Sequence, residues 1–171
     1  MVAEHPTEQL SYEQALRVIG RHLDAEPAHH ISVMEVADGF TVRSHPSQQR
    51  SDARTVHFSW ERLRDLFIFQ ASGRGCQRKH HRHQGMWMNF PHGHEDFFRA
   101  LGHIIDRDKA TSVTVDELPE GIAVSYIVTD PDNPPYAQKV YAVMREGEIQ
   151  TMLEAAQKRR GTGLRVVPDQ P

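Results

Sequence analysis

The residues from Ile19 to Val42 return, without a gap, eighty-two positions further along the chain. Ile19-Gly20-Arg21-His22-Leu23-Asp24 lines up with Leu101-Gly102-His103-Ile104-Ile105-Asp106. Ile31, Val33 and Glu35 then fall on Val113, Val115 and Glu117, Gly39 falls on Gly121, and Phe40 and Val42 fall on Ile122 and Val124. A register that carries a helix end, two strands and a turn glycine together points to an internal duplication. It confines the chain to folds in which one unit is used twice.

Local patterns fill in the unit. Ser11-Tyr12-Glu13-Gln14 has the form of a capping box, in which the Ser hydroxyl and the Gln side chain each satisfy a backbone N–H. Tyr12, Ala15, Leu16, Ile19 and Leu23 follow at helical spacing, and the polar run around Pro27 ends the helix. Alternation from Ile31 to Val36 and from Phe40 to Ser44, with Asp38-Gly39 between, predicts a hairpin. Arg54 to Phe58 reads as a third strand, and Ser59 caps a helix that uses Leu63, Leu66, Phe67 and Phe69. The same order returns later: a helix over 95–106, strands over 112–118, 122–128 and 137–144, and a helix over 148–160.

The expected fold is therefore α+β, a tandem duplication of an αβββα unit related by a pseudo-twofold. The strands form either two three-stranded antiparallel sheets or one continuous sheet. The first repeat, with a short lead-in, takes 1–70, a linker takes 71–94, and the second repeat with its tail takes 95–171. One unit of this size buries too little surface to be stable alone, so the two are expected to share a core.

The stretch from Gln70 to His94 belongs to neither copy. It carries Arg74, Arg78, Lys79 and Arg82 and no acid, so its formal charge is +4 in a chain of net −3. Five of the twelve histidines and the single cysteine, Cys76, lie within it. Its place between the repeats makes it the first candidate for a functional segment.

Composition narrows the alternatives. With 38% apolar and 25% charged residues the chain reads as globular. No window approaches the length of a transmembrane helix, and the polar, acidic start does not resemble a signal peptide. One cysteine makes no internal disulfide, so a cytoplasmic location and no membrane association are expected.

Four chemistries are open to the candidate residues. Arg74, Arg78, Lys79 and Arg82 can neutralise phosphates or carboxylates, and Trp87 can stack on an unpaired base. Lys158, Arg159, Arg160 and Arg165 form a second basic cluster, although cations in a last helical turn also complement the helix dipole. His81-x-His83 and His92-x-His94, with His80, are spaced to chelate zinc or another divalent transition metal if extended. Glu95 and Asp96 could add carboxylates, but acids in a first helical turn are ordinary. Cys76 among cations favours a thiolate, yet no base or oxyanion hole accompanies it. Glu35 and Glu117, at matching positions, could form an acid/base pair, but an outward-facing place just before the turn is expected for both. No P-loop, dinucleotide-binding or nucleophile-elbow motif is present.

The balance favours a non-enzymatic binding or adaptor protein that presents residues 70–94 to an acidic protein partner or nucleic acid. One alternative is a metal-binding protein or metal-dependent enzyme using His80, His81, His83, His92 and His94. Another is a structural subunit of a homo-oligomer that docks through Trp87 and Met88.

Overall fold

The computed structural model describes residues 10–25, 28–46, 52–73, 93–130, 132–133 and 136–161. Among them the chain forms four helices and one six-stranded antiparallel sheet. The first half runs α1 (Tyr12–Ala25), β1 (His29–Val36), β2 (Gly39–His45), β3 (Arg54–Ser59) and α2 (Trp60–Ala71). The second runs α3 (Gly93–Asp108), β4 (Ala110–Leu118), β5 (Gly121–Thr129), β6 (Ala137–Met144) and α4 (Glu146–Gly161). No helix among the described residues is long and apolar enough to cross a membrane.

The local signals act as expected. The N–H of Gln14 donates to Oγ of Ser11 at 3.2 Å, and the N–H of Ser11 donates back to Oε1 of Gln14 at 3.1 Å. Ser59 caps α2 by accepting the N–H of Arg62. On α1, Ala15, Leu16, Ile19 and Leu23 are buried, and Tyr12 packs edge-on against Phe40 and Trp60. α2 is shallower: Leu63 alone of its residues is fully buried, while Phe69, read as a core contact, is half exposed.

The strand order is β3-β2-β1-β4-β5-β6, so the two halves meet edge to edge at β1 and β4. Of the two sheet arrangements open to the sequence, the chain adopts the continuous one. The seam is short, with Val33 opposite Val115, flanked by Ser32 opposite Asp116 and Met34 opposite Thr114. The helices cover one face, burying Ile31, Val33, Phe40 and Val42 with Val113, Val115, Ile122 and Val124 in one core. Within the helical layer α1 lies against α3, α2 against α1, and α4 against α3.

Contacts across the seam come in reciprocal pairs eighty-two residues apart. Asp106, at the end of α3, accepts the N–H groups of Tyr12 and Glu13 at 2.9 and 2.8 Å. Asp24, at the end of α1, accepts those of His94 and Glu95 at 2.8 and 2.9 Å. Each helix thus has its first turn, where N–H groups lack intrahelical partners, satisfied by the other's last turn. The two helices therefore run antiparallel. They also touch almost backbone to backbone. A Cβ at Gly20 would lie 2.7 Å from the Cα of Glu95, and one at Gly102 would lie 2.6 Å from the Cα of Glu13.

Glu35 and Glu117 correct the sequence reading. Expected on an outward face, both carboxylates turn to the helix side of the sheet and reach across the seam. His30 and Ser112 adopt positive φ (48° and 57°) where the ladders of β1 and β4 shift register. Such a bulge leaves a backbone N–H without its ladder partner. Glu117 accepts the N–H of Ile31 at 3.1 Å, and Glu35 accepts that of Val113 at 2.9 Å. Glu35 also accepts the phenol of Tyr12 at 2.7 Å. Burial first, and that bond second, raise the Tyr12 pKa, so the phenol stays a donor. These carboxylates are structural acceptors committed to backbone, not an acid/base pair.

Candidate functional site

Of the residues singled out for binding, Arg74, Arg78, Lys79, Arg82 and Trp87 lie outside the described residues, as do His80, His81, His83, His92, Cys76, Met88 and Arg165. His94 is described, as are Glu95, Asp96 and, at the end of α4, Lys158, Arg159 and Arg160. His94 opens α3, is 2% exposed, and places Nδ1 3.0 Å from Oδ1 of Asp24. Burial alone would push the Asp24 carboxyl up. Its hydrogen bonds from the His94 ring and the N–H groups of Glu95 and His94 outweigh burial and hold it below the usual carboxylate range. In this place His94 anchors the start of α3. Among the described residues no group of three His, Cys, Asp or Glu is arranged to hold a metal.

The structure also fixes the frame from which the 74–92 stretch leaves and to which it returns. α2 runs to Ala71, and α3 begins at Gly93. Arg21, on α1, bridges the two: one terminal nitrogen donates to Oε1 of Gln70 at 3.0 Å, and Nε lies 2.9 Å from Oε1 of Glu95. Arg17 adds a second guanidinium to the same Glu95 oxygen at 2.9 Å. Both ends of the basic stretch are thus tied to one helix by side chains roughly three-quarters buried. Sequence reading treated Glu95 as a first-turn acid and did not identify Arg17 or Arg21. They lie on a face where helical periodicity predicts only polar residues.

The mirror position holds a different arrangement. Arg99 and His103, counterparts of Arg17 and Arg21, meet Glu13 at 3.0 and 3.3 Å. Arg160 on α4 reaches Asp96 at 3.1 Å. Between them lies a groove of about 180 Å³ lined by Glu13, Arg99, His103, Arg159 and Arg160, with Ala100 and Ala156 at its base.

A second concavity, of about 490 Å³, opens on the sheet face away from the helices between Arg43, His45, Asp116 and Tyr141. Its charges are mixed: Ser32 donates to Asp116 at 2.6 Å, and Glu117 at its rim is committed to the Ile31 N–H. Nothing in that set favours one ligand chemistry.

No family model, no curated protein and no solved structure matches the chain.

Proposed function

We propose that the protein is a non-enzymatic binding or adaptor module, a tandem duplication of an αβββα unit that presents its inserted basic stretch, residues 70–94, to nucleic acid or an acidic protein partner. The observation that carries this is the Arg21 bridge, because it ties the elements at both ends of the stretch to one place on the helical layer. A +4 segment held at both ends on a chain of net −3 orients the molecule toward a polyanion. Duplication is supported by the reciprocal caps, glycine contacts and carboxylate acceptors, each found twice at one offset. A cytoplasmic location suits the same reading.

The test is fluorescence anisotropy of a labelled single-stranded oligonucleotide and of a polyglutamate peptide, each titrated over a range of salt. The expected result is binding that weakens steeply with salt and falls at least about tenfold when Arg74, Arg78, Lys79 and Arg82 are all changed to Gln. Loss on Trp87→Ala for the oligonucleotide alone would identify base stacking and favour nucleic acid over the acidic protein. Binding of neither probe, or binding indifferent to the quadruple change, would overturn the proposal.

A further inference from the structure

β3 and β6 are the two edges of the sheet, and the halves treat them differently. The N–H of Trp60 donates to the carbonyl of Asp38 at 2.9 Å, one residue beyond the Gly39–Ser59 pair. That bond marks Gly39–Ser59 as a pair that exchanges no hydrogen bonds of its own, and in an antiparallel ladder the two kinds of pair alternate. His57, two residues back along β3, therefore points its N–H and C=O away from β2. The outward carbonyl is occupied. A terminal nitrogen of Arg62 donates to it at 3.1 Å, with the guanidinium 4.9 Å from the centre of the Phe58 ring. A charged side chain laid on an edge discourages another strand from pairing there.

β6 has no such guard. Val143, opposite Ala123, holds the place that His57 holds opposite Thr41, and counting on from there Glu148 holds the place of Arg62. A carboxylate cannot donate to a carbonyl, and Glu148 instead accepts the N–H of Arg145 at 2.8 Å. The N–H of Asp130 donates to the carbonyl of Tyr136, so the adjacent Thr129–Ala137 pair is again one without bonds of its own. The register runs unbroken from there to Met144, which turns the N–H and C=O groups of Ala137, Lys139, Tyr141 and Val143 outward. Among the described residues no side chain covers them as Arg62 covers His57. The strand carries one charge, Lys139, and neither a proline nor a bulge. Its apolar side chains lie on both faces: Tyr141, 63% exposed, and Val143 on one, Val140 and the exposed Ala142 on the other.

The four outward residues are symmetric about Val140. A second β6 laid antiparallel on that centre sets Lys139 against Tyr141 and Ala137 against Val143, and each pair exchanges both of its bonds. We propose that β6 is a homodimer interface, in which the edge strands of two copies pair antiparallel about Val140 and join their sheets into one. A twofold axis makes the match self-complementary. Lys139 then lies beside the partner's Tyr141, not opposite a like charge, and apolar side chains meet on both faces. The interface is separate from residues 70–94 and stands whether or not that stretch binds a polyanion.

The experiment is sedimentation equilibrium of the full chain, which should give a dimer that dissociates on dilution. Tyr141→Pro should weaken it about a hundredfold or more. The N–H that this change removes faces away from β5, so the ladder within the chain keeps its bonds. Thr55→Pro, at the matching place on β3, should leave the dimer intact. Should Tyr141→Pro fail to fold, Val140→Cys in a Cys76→Ser background decides the matter. The pairing brings the two Val140 Cα atoms to about 4.5 Å, within disulfide range, so mild oxidation should link the copies. Ala137→Cys, which the same pairing holds far from its symmetry mate, should not link them. A monomer at concentrations up to about 100 μM would overturn the interface. So would a dimer unmoved by Tyr141→Pro in a folded chain, one dispersed by Thr55→Pro, or no disulfide with Val140→Cys. Dissociation by Trp87→Ala but not by Tyr141→Pro would assign assembly to residues 70–94 and overturn it as well.

Discussion

On one side of the α1–α3 pair Arg21 is covered by the carboxamide of Gln70; on the other its counterpart His103 faces Ala156 and an open groove. Close to the seam the backbone contacts are matched. Asp24 and Asp106 cap each other's helices, Gly20 and Gly102 admit each other's backbones, and Glu35 and Glu117 satisfy each other's bulges. Positions that hold the halves together are matched, and positions facing away from the seam are free to diverge. The proposed function accordingly rests on a flank, the basic insertion that follows α2, and not on the matched seam.

The comparison breaks most severely at the glycines. Gly20→Ala and Gly102→Ala each drive a methyl into backbone that has no flexible side chain to move. Each should cost about 2–3 kcal/mol, against a gain of about 1 kcal/mol in helix propensity. Urea unfolding should give nearly equal losses for the two, because the contacts are equivalent. A loss confined to one would show that the helices do not meet symmetrically.

The bulge acceptors come next and sharpen the comparison. Glu35→Ala and Glu117→Ala each strand a backbone N–H, at about 1–3 kcal/mol. Glu35 also holds the Tyr12 phenol, so its loss should be the larger of the two, and Tyr12→Phe should narrow the gap. Thermal melts of the three single variants and of Glu35→Ala combined with Tyr12→Phe would measure it.

The caps follow. Asp24→Ala and Asp106→Ala should cost about 1–2 kcal/mol each, with Asp24 the more costly because it also holds the His94 ring. Asp24 adds a pH dependence. Its folded-state pKa is depressed below an unfolded value of about 3.9, so its contribution is complete above that pH. As the pH falls through the folded-state value the contribution is lost. Urea midpoints measured from about pH 5 down to about pH 2 should therefore fall less steeply for Asp24→Asn than for the unaltered chain. The smallest effect is expected at Gln70→Ala, which removes one part-buried contact to Arg21. It should cost no more than about 0.5 kcal/mol in the same unfolding assay.

Much of the fold is legible because it rests on periodicity. The capping box at Ser11, the Asp38-Gly39 turn and the Ser59 cap are local signals, and the elements they predict form where expected. The seam is not local. Asp24 looks like any polar residue at a helix end, and nothing in its neighbourhood announces that it caps a helix seventy residues away. Glu35 was misplaced because a carboxylate beside a turn is ordinarily solvated; a bulge on the opposite strand, invisible in the sequence, gives it an inward partner. A signal for these residues does exist in the match itself. Gly20, Asp24 and Glu35 are identical in both halves, whereas Ile19, Leu23, Ile31 and Phe40 are replaced by other apolar residues, although Val33 and Val42 are kept. Apolar positions need only volume, while a reciprocal contact needs one particular group on both sides.

Native-state hydrogen exchange on the full chain tests most directly whether the reciprocal seam makes one body of the two halves. Amides in the cores of β2 and β5, on opposite sides of the seam, should open with the same free energy, equal to that of global unfolding, and Gly20→Ala should lower both together. Exchange of one half at a distinctly lower free energy, with the other unaffected by Gly20→Ala, would show two independent units and contradict the account.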